Sequence, residues 1–89
     1  MQAGRTVEVL GGLHLAEVEV PPALFDKTLA DADLRRSHAV EVVMIQTPDM
    51  GKDGIEGRAG RFPGPEVRLR AGDRLLVLGM PAAIEALRR

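Results

Sequence analysis

The sequence predicts a small α+β domain, a two-layer sandwich in which two helices cover one face of a mostly antiparallel sheet. Two observations support this prediction. Short apolar runs that alternate with polar residues, or that are rich in β-branched residues, recur along the chain as strands do. Two other segments place apolar residues at helical spacing. The predicted order is β(β)-α-β-β-β-α within 89 residues, a length that suits one domain.

The N-terminal part predicts a β-hairpin or a single bent strand. Val7 and Val9 alternate with polar neighbours, and the two glycines at residues 11–12 give a hairpin-turn signal. Apolar and acidic residues then alternate over residues 13–20. Two prolines follow and end this strand, because proline cannot donate a hydrogen bond to a sheet.

A helix is predicted over residues 23–32, where Phe25, Leu29 and Ala32 share one helical face. Residues 34–38 are polar and are interpreted as a connection. Residues 40–45 are β-branched and apolar on nearly both faces, which is typical of a central strand.

The segment from residue 48 to residue 65 is predicted to be a mobile loop. Glycine recurs at every third position from Gly51 to Gly60, with charged residues between. Alternation over residues 67–70 then predicts a short strand.

The C-terminal part predicts a turn, a strand and a helix. Gly72 can adopt a positive φ, and Asp73 can accept a hydrogen bond from a nearby backbone N–H, so both are assigned to a structural turn. Residues 75–78 form a second buried strand. Pro81 suits a first helical position, where its missing N–H is harmless, and Ile84 and Leu87 give that helix its apolar edge.

Composition excludes several classes of protein. The formal net charge is −1, with basic and acidic residues interspersed, and the only aromatic residues are Phe25 and Phe62. Neither a phosphate-attracting field nor a base-stacking surface is therefore expected, which argues against nucleic-acid binding. Cysteine is absent, so disulfides and thiolate metal sites are excluded, as in many proteins of a reducing cytoplasm. No apolar run approaches the ~20 residues of a membrane span, so direct membrane insertion is not expected.

Catalytic and metal motifs are also missing. The single serine, Ser37, has no nucleophile-elbow context, and His14 and His38 stand alone. Three acidic residues near the glycines lack the spacing of an EF-hand: Asp49, Asp53 and Glu56. We therefore expect neither an enzyme nor a metal site, and no resident cofactor.

Three local patterns resemble the TrkA C-terminal domain family, also called the RCK C-terminal domain. The first is VEVPP at residues 18–22 followed by KTLA at 27–30, and the second is HAVEVVMI at 38–45. The third and most specific is LRAGDRLLVLG at 69–79. In order and spacing they span nearly the whole chain.

The resemblance divides the chain into an N-terminal strand or linker, residues 1–12, and a regulatory domain, residues 13–89. The sequence also departs from the family pattern. Asp26 and Ala39 stand where glycine is usual, and Thr47 follows the strand where a basic residue is common.

The resemblance implies a regulatory domain that forms homodimers and acts on a potassium or other cation transport system. The implied partner is a membrane transporter or channel, reached through an RCK N-terminal domain, which places the chain in the cytoplasm at the inner face of the membrane. Some family members bind cyclic di-AMP or another small effector. Two alternatives stay open: a ligand-free assembly domain that holds transporter subunits together, and a stand-alone sensor that docks on a membrane transporter.

The implied effector contacts fall at the end of the 40–45 strand, on Val43, Ile45 and Thr47. Only the apolar part of such a site is kept, because threonine cannot supply the charge-assisted donors that a dianion prefers. Donors would have to come from basic residues elsewhere: Arg35, Arg36, His38, Arg58 and Arg61. The alternative interpretation of residues 35–38 is a solvated connection between helix and strand.

Overall fold

The computed structural model describes residues 6–50 and 56–89 and confirms the predicted α+β class. Residues 1–5 and 51–55, and the side chains of Asp49, Met50, Glu56 and Arg58, lie outside the described part, which therefore omits Asp53. Five antiparallel strands form one sheet in the order β1-β2-β5-β3-β4. The strands are β1 Thr6–Leu10, β2 Leu13–Glu19, β3 Glu41–Met50, β4 Glu56–Arg61 and β5 Arg74–Gly79. The α-helices are α1 Leu29–Ala32, α2 Leu34–Ser37 and α3 Pro81–Arg88.

The N-terminal segment is a hairpin rather than a bent strand. Gly11 and Gly12 have φ values of 63° and 84°, the left-handed pair that a tight two-residue hairpin turn requires. Val7 lies opposite Leu15, and the register shifts between Glu8 and Leu10. The strand before the turn is therefore an edge strand of the sheet, next to β2.

The single helix predicted over residues 23–32 is wrong. A 3-10 turn at Pro22–Leu24 is followed by non-helical backbone that includes a turn at residues 25–26, and α1 begins only after Thr28, whose side chain accepts a hydrogen bond from the Asp31 N–H. The reason is long-range backbone pairing, since the Leu69 N–H donates to the Lys27 carbonyl at 2.9 Å. Helical periodicity in the sequence gives no sign of this competing partner.

The polar connection predicted over residues 34–38 is also wrong, because it contains the helix α2. Leu34 is buried and holds this helix against the core. Asp33 and Ala39, on either side of α2, have φ values of 46° and 55°. Asp26 shares this left-handed conformation, with φ of 68°. Two of these three positions, Asp26 and Ala39, are those where the family usually has glycine.

The loop predicted over residues 48–65 contains paired antiparallel strands at residues 48–50 and 56–61. β3 continues to Met50 and pairs with the glycine-containing edge strand β4. Gly60 allows the two strands to approach, because a Cβ atom at this position would lie 2.8 Å from the Met44 sulfur. The strand predicted over residues 67–70 forms one bridge, Thr28 to Arg68, outside the sheet.

The core lies between the sheet and the helices. α3 packs on β2 and β5, and α2 packs on β3. The prediction of a helix beginning at Pro81 is confirmed. The largest fully buried side chains come from the strands, from the residue just before β3, from the 67–70 segment and from α3: Val18, Val40, Ile45, Leu69, Leu75, Val77, Ile84 and Leu87.

The turn before β5 is built around Asp73. This residue is 2% exposed, and its Oδ2 atom accepts a hydrogen bond from the Arg70 N–H at 3.1 Å. Its own carbonyl accepts from the Val20 N–H at 3.0 Å. Gly72 precedes it with φ of 90°, a conformation that favours glycine. The turn thereby fixes where β5 enters the sheet beside β2.

Candidate functional site

The apolar residues predicted to contact an effector are separated by burial. Ile45 is 0% exposed and belongs to the core, whereas Val43 is 43% exposed beside a register shift in β3. Thr47 is half-buried, and its Oγ1 atom is buried without a hydrogen-bond partner in the described structure. Ile45 therefore packs in the core beneath β3 and cannot contact a ligand in this conformation.

Three of the predicted basic residues lie on or just after α2: Arg35, Arg36 and His38. Arg35 Nε donates to Glu41 Oε1 at 2.6 Å, and Arg36 lies 3.7 Å from an oxygen of Asp33. His38 Nδ1 lies 2.9 Å from the Ser37 hydroxyl. Arg61 lies on β4, directly opposite Ile45. The structure therefore divides the basic residues between α2 and β4 and does not gather all of them around Ile45 and Thr47.

A cleft of about 200 Å³ lies where α1 and α2 meet the beginning of β3. Its lining includes one of the predicted residues, Arg35, together with charged and apolar neighbours: Leu29, Ala30, Asp33, Leu34, Val40, Glu41, Val42 and Pro63. Ligand pockets usually have ~300–1,000 Å³. The cleft thus has room for one part of a nucleotide-sized molecule.

The cleft has an apolar floor and a charged rim. Leu34 and Val40 are 4% and 2% exposed, whereas Asp33, Arg35 and Glu41 reach solvent. Arg35 and Glu41 form an exposed ion pair, with side chains 77% and 51% exposed. Such pairs contribute ~0–1 kcal/mol, so an incoming anion can replace the Glu41 carboxylate at little cost.

No pattern in the sequence indicated that Glu41 and Pro63 belong to one site. Glu41 begins β3 and lies opposite Leu78 of β5. Pro63 follows the end of β4 by two residues. The available signal was charge: an acidic residue at the start of an otherwise apolar strand, six positions after Arg35.

Two other kinds of feature are absent from residues 6–50 and 56–89. No group of three metal-binding side chains there is arranged to hold an ion. None of the helices in this part of the chain is long and apolar enough to cross a membrane.

Comparison with known proteins identifies the fold and the family. Residues 13–89 match the TrkA-C domain. The structure of the GsuK channel bound to NAD is 28% identical, with a TM-score of 0.67, over 85% of this chain and 13% of that one. The crystal structure of the GsuK RCK domain is 25% identical, with a TM-score of 0.59, over 84% of this chain and 15% of that one.

The chain therefore corresponds to less than one sixth of the length of these two proteins. No curated protein matches. Because the match to the TrkA-C domain covers nearly the whole chain, this chain belongs to the TrkA-C domain family.

Proposed function

We propose that this chain is a non-catalytic regulatory domain of a potassium or other cation transport system. The observation that carries the proposal is the TrkA-C match over residues 13–89. Similarity to a channel and to its RCK domain supports it. In this proposal the domain forms homodimers and acts on a membrane channel or transporter from the cytoplasm, at the inner face of the membrane. The division between residues 1–12 and 13–89 stays a prediction.

We further propose that the domain binds a small anionic effector at the cleft. Arg35 supplies a cation at the rim, and the apolar floor provides contact for a ring. Glu41 is the competing anion that a phosphate group would displace from Arg35. Val43, which is 43% exposed, is accessible to a larger ligand that extends along β3. Cyclic di-AMP and NAD are the first compounds to test, because the family resemblance suggests one and a similar structure contains the other.

Thermal unfolding in the presence of each compound tests this proposal. Circular dichroism is the suitable probe, since the chain has no Trp or Tyr. An effector at 100 times its dissociation constant stabilises the folded state by about 2.7 kcal/mol. At about 4–8 °C per kcal/mol for a domain of this size, the midpoint rises by roughly 10–20 °C.

Matched variants identify the site. We expect Arg35→Gln to abolish the shift and Glu41→Gln to increase it, because the neutral amide no longer competes for the guanidinium. Arg36→Gln is the control, since Arg36 is 86% exposed and does not line the cleft. Equal losses in the Arg35 and Arg36 variants would contradict binding at the cleft.

A ligand-free assembly domain is the second candidate. The observation that favours it is the Arg35–Glu41 pair, which already neutralises the cation at the cleft. This reading predicts a dimer whose unfolding temperature no added nucleotide changes, including in the Glu41→Gln variant.

A further inference from the structure

One face of the sheet is apolar although no helix of the described structure packs against it. In β5, Leu75 and Val77 point to the helices and are fully buried. The alternate residues Leu76 and Leu78 point to the opposite side and are half-buried. An antiparallel sheet with one solvated face normally alternates apolar and polar residues, and this strand does not.

The neighbouring strands extend this apolar surface. Leu15 lies opposite Leu78, and Met44 lies opposite Leu76. We call the surface formed by Leu15, Met44, Leu76 and Leu78 the open face. None of the four belongs to the buried core or packs against it. Their shared orientation follows from register, because directly opposed residues point to the same side of a sheet.

The apolar surface continues to the β1–β2 hairpin. Val7, opposite Leu15, is 60% exposed, and the paired Leu10 and Leu13 are 77% and 37% exposed. Large hydrophobic side chains scattered singly over a surface need no explanation, but contiguous ones mark interaction sites.

Charged residues of both signs lie within and around the open face. Glu17 is directly opposite Leu76, and Glu41 is directly opposite Leu78. Arg74 is opposite Glu19 and lies 4.0 Å from Glu17. A surface that meets its own copy about a two-fold axis must complement itself. Charges of one sign would repel their copies, whereas this arrangement can place Arg74 of one chain near a glutamate of the other.

The size of the face bounds what a second copy can cover. Strands about 4.8 Å apart and roughly 20 Å long give the whole five-stranded sheet a flat area of about 480 Å². This is less than the ~800 Å² per partner of a standard interface, so the exposed side chains of the β1–β2 hairpin would add to the buried area. The accessible surface of the chain is 6060 Å², and a domain this small is marginal with its own core alone.

We propose that the open face is the surface through which two copies of this chain associate, sheet against sheet. The inference rests on the dimerisation included in the proposed function and adds the surface that performs it. Leu76 and Leu78 lie at the centre of the interface, and the charged residues around them set the orientation of the two chains.

Sedimentation equilibrium over a range of protein concentrations tests the proposal. The chain has a mass of 9.6 kDa, and we expect the native protein to approach twice that value. Leu76→Lys and Leu78→Lys should each weaken the dimer about a hundredfold or more, because each dimer loses two buried leucines. Phe25→Lys is the control, since Phe25 is 38% exposed and lies outside the sheet.

A second measurement needs no substitution, in case a lysine variant fails to fold. The methyl groups of Leu15, Leu76 and Leu78 should be shielded from a soluble paramagnetic agent at high protein concentration and should become accessible on dilution. If the dimer survived both lysine substitutions, or if these methyl groups stayed accessible in the dimer, the open face would not be the dimer interface, although the chain would still form a dimer. A monomer at every concentration would refute dimerisation itself, and the effector titration would still test the cleft separately.

Discussion

Ala39 is the position at which the structure most clearly departs from the preference of its residue type. Its φ is 55°, and it lies between α2 and β3, where a left-handed residue ends a helix and is usually glycine. An L-residue in this conformation costs about 1–2 kcal/mol. Ala39→Gly removes that cost but makes the unfolded chain more flexible, which offsets about 0.4–1 kcal/mol.

The expected net effect of Ala39→Gly is a stabilisation of about 0.5–1 kcal/mol, from the difference of these two terms. For a domain of this length it corresponds to a rise of about 2–8 °C in the unfolding midpoint. Chemical denaturation followed by circular dichroism measures the free energy of unfolding directly. Because Ala39 is exposed, the substitution removes no core contact that would confuse the result.

The same chemical change elsewhere gives the control. Ala86 is exposed in α3, and Ala86→Gly should destabilise the domain by about 0.5–1 kcal/mol, since glycine weakens a helix. The two substitutions should therefore have opposite signs. If Ala39→Gly lowered the free energy of unfolding as Ala86→Gly does, the assignment of a left-handed conformation to residue 39 would be refuted.

Five further substitutions test other parts of the fold. Asp26→Gly should stabilise by less than Ala39→Gly, because aspartate tolerates a positive φ better than alanine does; a larger gain in the same denaturation assay would contradict this. Gly79→Ala should destabilise by about 1–3 kcal/mol, because the added Cβ would lie 2.9 Å from Val40 Cγ1. The double variant Gly79→Ala/Val40→Ala should lose less free energy of unfolding than the two single variants lose together, because the smaller residue 40 makes room for the new methyl group. If the two losses simply added, this contact would be contradicted. Asp73→Ala should lower the free energy of unfolding by about 1.5–3 kcal/mol, because it removes the acceptor for the Arg70 N–H. Asp73→Asn keeps an acceptor oxygen and should lower it by less. Equal losses in the two variants would show that the turn does not depend on that acceptor.

Most of the sheet and the last helix could be predicted from the sequence because their signals are local. The glycines at residues 11–12 and Pro81 mark a turn and a helix start whatever surrounds them. The continuous apolar run at residues 75–78 indicated a strand buried on both sides. The same run also places Leu76 and Leu78 on the face of the sheet that no helix of the described structure covers.

The errors arose where distant residues decide the local structure. The 67–70 segment has a strand pattern, but it pairs with the backbone near Lys27 instead of joining the sheet. The glycines of β4 indicated a loop, because the sequence does not show that Met44 will occupy the space beside Gly60.

The candidate site was predictable only in part. Arg35 was selected because of its charge, but the cleft depends on where Glu41 and Pro63 arrive in three dimensions. Ile45 was carried over from a family pattern that does not specify burial in this chain. Residue type therefore indicated the chemistry, and register determined which groups meet.

The contact between Val40 and Gly79 links the floor of the cleft to the strand that carries the open face. Val40 lines the cleft, and its methyl group lies against the backbone of Gly79, one residue after Leu78. Glycine has no side chain that could change rotamer and absorb a small shift of Val40. If an effector at the cleft changed the affinity of two chains for each other, linkage would require the dimer to bind that effector with an affinity changed by the same factor. The measured effector affinity would then depend on protein concentration.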